Sequence, residues 1–249
     1  PDDFPSLKGE TSLIEKAPKL SIGGFVSIVE EAKQKGEFNI ARNSILLFET
    51  NNPSEVIINS SRILQIEPTI PQSLTEAEIQ GRKQVSQLEK FLKKSIPGFE
   101  NAILITSGPN IGVRSSRQIK GLYTLDSEDI ISFKKFDDAI VCAAYPIDIH
   151  PSEGEEFIDY SSMFKSDDFY TIPYRCLLNN KIVNLIVVGR CVSATFEAQA
   201  AIRTSPTAGA IGHAGGLAAS ISAQSGVLAR DIQYSVLKSK LLSQNAYIN

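Results

Sequence analysis

The sequence predicts a chain that is α+β through its middle and α/β at its end. Two observations carry this. Ser44–Glu49 and Glu55–Asn59 are short apolar, β-branched runs on either side of Asn51-Asn52-Pro53-Ser54, the pattern of a hairpin, and a long amphipathic helix follows them. Near the end, Leu185-Ile186-Val187-Val188 reads as a strand buried on both faces, Gly189 turns the backbone, and Ser205-Pro206 opens a helix. Hairpin then helix implies a mixed sheet; strand, loop and helix imply an α/β ending.

Residues 1 to about 20 are polar and hold three prolines, the composition of a lead-in segment. Gly23 to Lys35 has helical spacing around Phe25, Ile28, Val29 and Ala32, with Gly36 as its end. Arg62 to Ile66 extends the second strand or pairs beside it. Ser73-Leu74-Thr75-Glu76 has the form of a capping box for the helix of residues 74–95, whose buried face carries Val85, Leu88, Leu92 and Ile96. Pro97-Gly98 stops it. Ala102 to Thr106 is expected to be a strand. Asp126 is placed to cap a short helix running to Lys134, and Ala139 to Ala144 is an apolar strand. Residues 151–168 are acidic and read as a surface loop. Tyr170 to Leu178 is extended, and Asn179-Asn180 is a turn. A polar loop follows Gly189, with Ser205 as N-cap of the glycine-rich helix and Gly226 as its end. Asp231 to Leu242 forms a last helix with Ile232, Val236 and Leu237 inward.

The bulk composition excludes several classes. A net charge of −3, with Lys and Arg scattered, leaves no basic field for nucleic acid. No apolar run is long enough for a membrane helix. Three well-separated cysteines without a CxxC pair suit a reduced, cytoplasmic protein, and two histidines make a histidine-based metal site improbable.

The glycine-rich helix holds the strongest functional signal. Gly209, Gly212, Gly215 and Gly216 each lower helix stability by about 0.5–1 kcal/mol relative to alanine. Something therefore approaches this helix closely. A helix start offers free amides and a positive dipole end to an anionic or electron-rich group. A nucleotide or flavin site and tight helix-on-sheet packing fit this pattern equally well.

Several blocks resemble one family. Asn184-Leu185 through Gly189-Arg190, Ser193-Ala194-Thr195-x-Glu197-Ala198-Gln199-Ala200, Arg203, Pro206-Thr207 and Gly212-x-Ala214-Gly215 are similar to the C-terminal motif of FAD-dependent oxidoreductases. These are relatives of the succinate dehydrogenase and fumarate reductase flavoproteins. Gly112-Val113-Arg114-x-x-Arg117-x-x-x-Gly121-x-Tyr123, Tyr145-Pro146-Ile147-Asp148-Ile149-His150 and Ile172-Pro173-Tyr174-Arg175 resemble the same family in the same order. Two positions depart from it: Phe196 stands where the family has histidine, and His213 where it has glutamine.

The resemblance implies FAD as cofactor and an unidentified small-molecule substrate. It divides the chain into a lead-in at 1–40, a substrate-side domain at 41–180 and the C-terminal part of an FAD-binding domain at 181–249. It implies cofactor contacts at Gly189, Arg190, Ala194, Thr195, Pro206, Thr207 and Gly209. Arg114, Arg175 and Arg203 lie in the family-like blocks; Arg114 and Arg175 are the candidates for holding an acidic substrate and Arg203 a catalytic candidate. The residues themselves add two further catalytic candidates: Glu197, a carboxylate in the loop between strand and helix, and His150, which follows Asp148 and can serve as an acid or base near neutral pH. For each arginine, an ordinary ion pair with Asp148, Glu197 or the 153–159 segment is the alternative.

No G-x-G-x-x-G turn occurs, so the phosphate-cradling half is expected on a preceding segment of the same protein, with weak or no FAD binding by this chain alone. Self-association is open, and no metal is expected. The competing reading is a non-enzymatic ligand- or protein-binding module whose glycine helix only packs.

Overall fold

The computed structural model describes residues 19–149, 160–165 and 167–248. Residues 1–18 of the expected lead-in, most of the acidic loop and His150 lie outside these residues. Among them are six α-helices and two small antiparallel sheets, an α+β fold. The chain groups into two compact units, 1–113 and 114–249, a different division from the one expected at 40 and 180.

In the first unit the strands β1 (Ser21–Gly24), β2 (Ile45–Glu49) and β3 (Val56–Ile58) form a sheet in that order. Its register pairs Ser21 with Phe48 and Leu47 with Ile58. The hairpin is as the sequence predicts; β1 was not foreseen, because its two glycines mask it. Arg62 to Ile66 forms no strand. The helices α1 (Val26–Gln34) and α2 (Pro71–Ser95) complete the unit. Val29, Phe38, Ile45, Leu88, Phe91 and Leu92 share one core, with the Phe38 and Phe91 rings 4.7 Å apart.

Two further expectations fail in this unit. The capping box does not form, because Pro71 starts α2 earlier with Ile70 as its N-cap. Ser73 Oγ instead accepts from the Glu67 amide at 3.0 Å. Residues 102–106 are no strand: Ile103 is 80 % exposed and Ile105 68 % exposed, and no described strand pairs with them.

The second unit opens with α3 (Ser127–Ile131). Asp126 Oδ1 accepts from the Asp129 amide (3.0 Å) and Asp129 Oδ2 from the Asp126 amide (3.2 Å), a reciprocal cap. Asp129 is buried and also accepts from the Tyr123 hydroxyl (2.8 Å) and Lys134 Nζ (2.6 Å), so its carboxylate has ample partners. β4 (Ala139–Ala143) and β5 (Tyr170–Pro173) form an antiparallel pair. A tight turn follows at Tyr174–Leu177, then α4 (Phe196–Ile202), α5 (Ser205–Ser225) and α6 (Tyr234–Ser243). Leu125, Ile140, Ile172, Leu177, Ile202, Ile211 and Leu237 belong to one core. Ile232 and Leu237 of the last segment are buried as expected, whereas Val236 is 42 % exposed.

The strand expected at 185–188 is not one. Among the described residues its one sheet-like pairing is an isolated bridge between Ile186 and Leu178, supported by Val187 N–H donating to Leu177 O at 2.9 Å. Leu185 and Val188 are 37 % and 39 % exposed. An apolar run is buried on both faces only when sheet neighbours and covering helices exist, and β4–β5 pair with each other instead. The polar loop expected after Gly189 also contains α4. Thr195 Oγ1 accepts from the Ala198 amide at 3.3 Å and caps it, and Ala198–Ile202 are buried.

Burial in this core gives a pH prediction. Desolvation pushes the Cys176 thiol from 9.0 up to about 12 and the Tyr174 hydroxyl from 10.0 up to about 12, and raises Tyr170 as well. Folded values above the unfolded ones contribute stability that is complete below the unfolded pKa, and it is lost as the pH rises through the folded pKa. Urea midpoints of the second unit should therefore hold steady to about pH 9 and fall steeply toward about pH 12. A flat midpoint across that window would contradict the burial of these three groups.

Candidate functional site

The site is built around the start of α5. Thr204, not Ser205, is its N-cap, with Pro206 in the first turn, and the Thr204 side chain bonds no helical amide. Thr204 Oγ1 donates instead to Thr207 Oγ1 at 3.1 Å. The first intrahelical bond is Ala208 N–H to Thr204 O at 2.8 Å, so the Ser205 and Thr207 amides precede the ladder. Behind them lies a 21-residue helix, whose aligned peptides place about half a positive charge at this end. Gly226, at φ 71°, closes it in the left-handed conformation that glycine adopts freely.

Packing explains one of the four glycines. A Cβ on Gly215 would come within 2.3 Å of Val188 Cγ1 and 3.3 Å of Ile186 Cγ2. Around Gly209, Gly212 and Gly216 a Cβ would meet nothing within 4 Å. Three glycines therefore keep a face of α5 open for no partner within the described residues.

A cleft of about 420 Å³ lies between the end of β4 and the start of α5. Val141 to Tyr145 form one wall, and Thr204, Pro206, Thr207 and Ala210 the other. Arg203, the C-cap of α4, directly precedes the second wall. Its Nη2 donates to Asp148 Oδ2 at 3.0 Å and to the Asp148 carbonyl at 3.3 Å. Arg114 Nη1 lies 4.0 Å from the same carboxylate oxygen. Gln199 Nε2 donates to the Arg114 carbonyl at 3.0 Å and so ties that segment to α4. Burial, and next the neighbouring Arg114 charge, pull Arg203 below the ordinary arginine value while Asp148 opposes them. Arginine remains protonated under such a shift.

The other expected site residues spread more widely. Gly189 turns at φ 69° and begins a tight turn, Gly189–Cys191, that packs on α5. Arg190 is exposed and has no ion pair among the described residues. Ala194 bridges Leu125 and Thr195 caps α4, so both are held in structural contacts. Arg175 makes a two-point pair with Asp138 (3.0 and 3.1 Å) and stacks 5.3 Å from the Tyr123 ring, away from the cleft walls. Glu197 is half-exposed in the first turn of α4 and lines neither wall. Gly209 faces the open side of α5 rather than the cleft. His213 is exposed, with Nε2 2.5 Å from Gln244 Oε1, and Phe196 is 60 % exposed. Tyr145 borders the cleft; Tyr174 is buried, its hydroxyl donating to the Ala229 carbonyl at 2.9 Å. Sequence reasoning missed Cys142 in the cleft wall, which lies in an ordinary apolar strand, and gave no role to Gln199, although it stands in a family block.

The family model of the FAD dependent oxidoreductases matches residues 15–241. The chain belongs to this family. No curated protein and no solved structure matches it. Membership brings flavin-linked redox chemistry and FAD as the cofactor. The residues present fit one end of that group. An FAD dependent oxidoreductase needs donors for the electron-rich edge of the ring, and the uncapped amides of Ser205 and Thr207 are such donors. It also needs close backbone approach, which Gly209 allows. Among the described residues no helix is long and apolar enough to cross a membrane.

Proposed function

We propose that this chain forms the substrate side and the closing part of the flavin site in an oxidoreductase related to succinate dehydrogenase and fumarate reductase flavoproteins. Pro206, Thr207 and Gly209 hold the ring edge, Gly189 and Arg190 flank it, and the cleft beside α5 receives a small substrate. The observation that carries this reading is the start of α5, where unpaired amides, an open glycine face and a cleft meet.

Bound FAD supplies the acceptor or donor of a hydride. The residues of the chain supply orientation and charge. The Ser205 and Thr207 amides and the helix end favour negative charge beside the first turn, and Arg190 adds a full positive charge. Of Glu197 and Arg203, the catalytic candidates among the described residues, Arg203 directly precedes the cleft-lining Thr204, and it acts by binding and orienting rather than by moving a proton. A dinucleotide-binding half of the same protein completes the site in this reading. Exposed Leu185 and Val188 and the open face of α5 are available to receive it.

The test uses the product of the complete reading frame that contains this sequence. Anaerobic addition of small carboxylates to the FAD-loaded protein should bleach the visible flavin bands for at least one compound. Bands that persist with every hydride donor tried, in protein that does carry FAD, would overturn the proposed substrate side.

A further inference from the structure

Thr207 lines the cleft, is 8 % exposed, and does not spend its hydroxyl in full. In a helix a threonine hydroxyl commonly bonds back to a carbonyl one turn earlier. No such bond forms here. The Thr207 oxygen instead accepts from Thr204 Oγ1 at 3.1 Å, which leaves its own proton without an acceptor among the described residues. A buried donor without an acceptor is costly, so this proton calls for a partner in the cleft. Tyr145 also lines the cleft but is 43 % exposed, where water competes for its hydroxyl. The walls set the character of that partner. Among the described residues that line the cleft none is an acid, a lysine, an arginine or a histidine, and Val141, Ala143, Ala144, Pro206 and Ala210 are apolar. A volume of about 420 Å³ is room for a substituted ring. A charged group is expensive to bring against such walls.

The geometry assigns the Thr207 hydroxyl as the donor to an uncharged acceptor, a carbonyl oxygen or a ring nitrogen, on the apolar part of the substrate that enters the cleft. Thr204 sets the direction: by donating to the Thr207 oxygen it occupies a lone pair and turns the Thr207 proton away from itself. The amide and the hydroxyl of Thr207 then serve different groups, the amide the flavin edge and the hydroxyl the substrate. A ligand with an acceptor keeps the hydroxyl paired when it displaces water. An isostere without one leaves the hydroxyl unpaired, so Thr207 acts on specificity. Charged groups of the substrate stay outside these walls. The proposal rests on the cleft being the substrate side of the flavin site, and it names the chemical class that this part of the site receives.

Acetophenone is the probe, with ethylbenzene as the isostere lacking an acceptor and benzoate as the charged control, each titrated calorimetrically into the full chain without FAD. Acetophenone should bind, and benzoate should bind about tenfold more weakly or not at all. The ratio of acetophenone to ethylbenzene affinity should fall about tenfold in Thr207→Val, which keeps the shape and removes the donor. It should hold in Thr207→Ser, which keeps the donor. A loss of packing alone would weaken both ligands together. In the unsubstituted chain the carbonyl stretch of bound acetophenone should lie at lower wavenumber than in hexane, and the assigned Thr207 methyl resonance should move with the ligand and saturate. Neither readout needs a variant to fold. An affinity ratio unchanged in Thr207→Val, benzoate binding as tight as that of acetophenone, a bound stretch at the hexane value, or a Thr207 resonance that stays still would each overturn the proposal. FAD uptake is measured separately on the complete reading frame. Acetophenone binding without FAD uptake sinks the flavin reading alone, and FAD uptake without acetophenone binding sinks the subsite alone.

Discussion

Replacing Gly209 with leucine is expected to leave the fold intact and to weaken FAD binding by about ten- to a hundredfold. A Cβ at this position meets nothing within 4 Å, so the fold has no steric reason to hold a glycine there. Glycine in a helix interior is about 1 kcal/mol less favourable than alanine, and Gly209→Ala should accordingly raise the urea midpoint. An unnecessary glycine at an open helix start makes sense if a flat ligand covers it. Leucine would stand in that ligand's place. Flavin fluorescence titration gives the affinity and urea unfolding gives the stability. Unchanged FAD affinity in Gly209→Leu would remove this face of α5 from the cofactor site.

Gly121→Ala is expected to act on the fold instead, destabilising the second unit by about 1–3 kcal/mol. Its Cβ would lie 2.6 Å from Ser193 Cβ and 2.9 Å from the Tyr123 carbonyl oxygen. The latter is backbone and has little room to retreat. Leu122 N–H donates to Leu178 O (2.9 Å) and Leu125 N–H to Ser193 O (3.1 Å), so the segment is pinned on both sides of the clash. Against a total stability of about 5–15 kcal/mol, such a loss is large. Urea midpoints of the two proteins measure it, and equal midpoints would mean that the 121–125 and 193 segments pack more loosely than described.

The contrast between these glycines shows what the sequence can disclose. Composition cannot tell a glycine kept for a backbone contact from one kept for a ligand. The signals that did carry through are local. Asp126 caps α3 because a short side chain reaches an amide three residues away, whatever the rest of the chain does. Pro206 and Gly226 bound α5 for similar reasons. Expectations failed where the outcome depends on distant partners. Leu185–Val188 and Ile103–Ile105 have strand composition, but a strand needs an edge to pair with, and no described strand offers one. Ser73 had the right spacing for a cap and lost to Pro71, whose fixed φ begins the helix three residues earlier.

The candidate site was legible in the same proportion. The start of α5 was visible as Ser205-Pro206-Thr207 followed by small residues, with the cap misplaced by one residue. Arg203 was visible as a charge in a family block, and its pair with Asp148 was one of the alternatives weighed. Arg175 could not be distinguished from Arg203 in sequence; only the two-point pair with Asp138 shows it to be engaged elsewhere. The cleft itself could not be read, since it arises from β4 meeting α5 across more than sixty residues of chain.

The measurement that bears most directly on the account is the visible absorption spectrum of the complete reading frame's product as FAD is added. Flavin bands that shift and sharpen on binding, with the shift lost in Gly209→Leu, are the predicted result. A spectrum that stays that of free FAD at every ratio would contradict the assignment of the α5 start as a flavin site, leaving its glycines without a ligand to explain them.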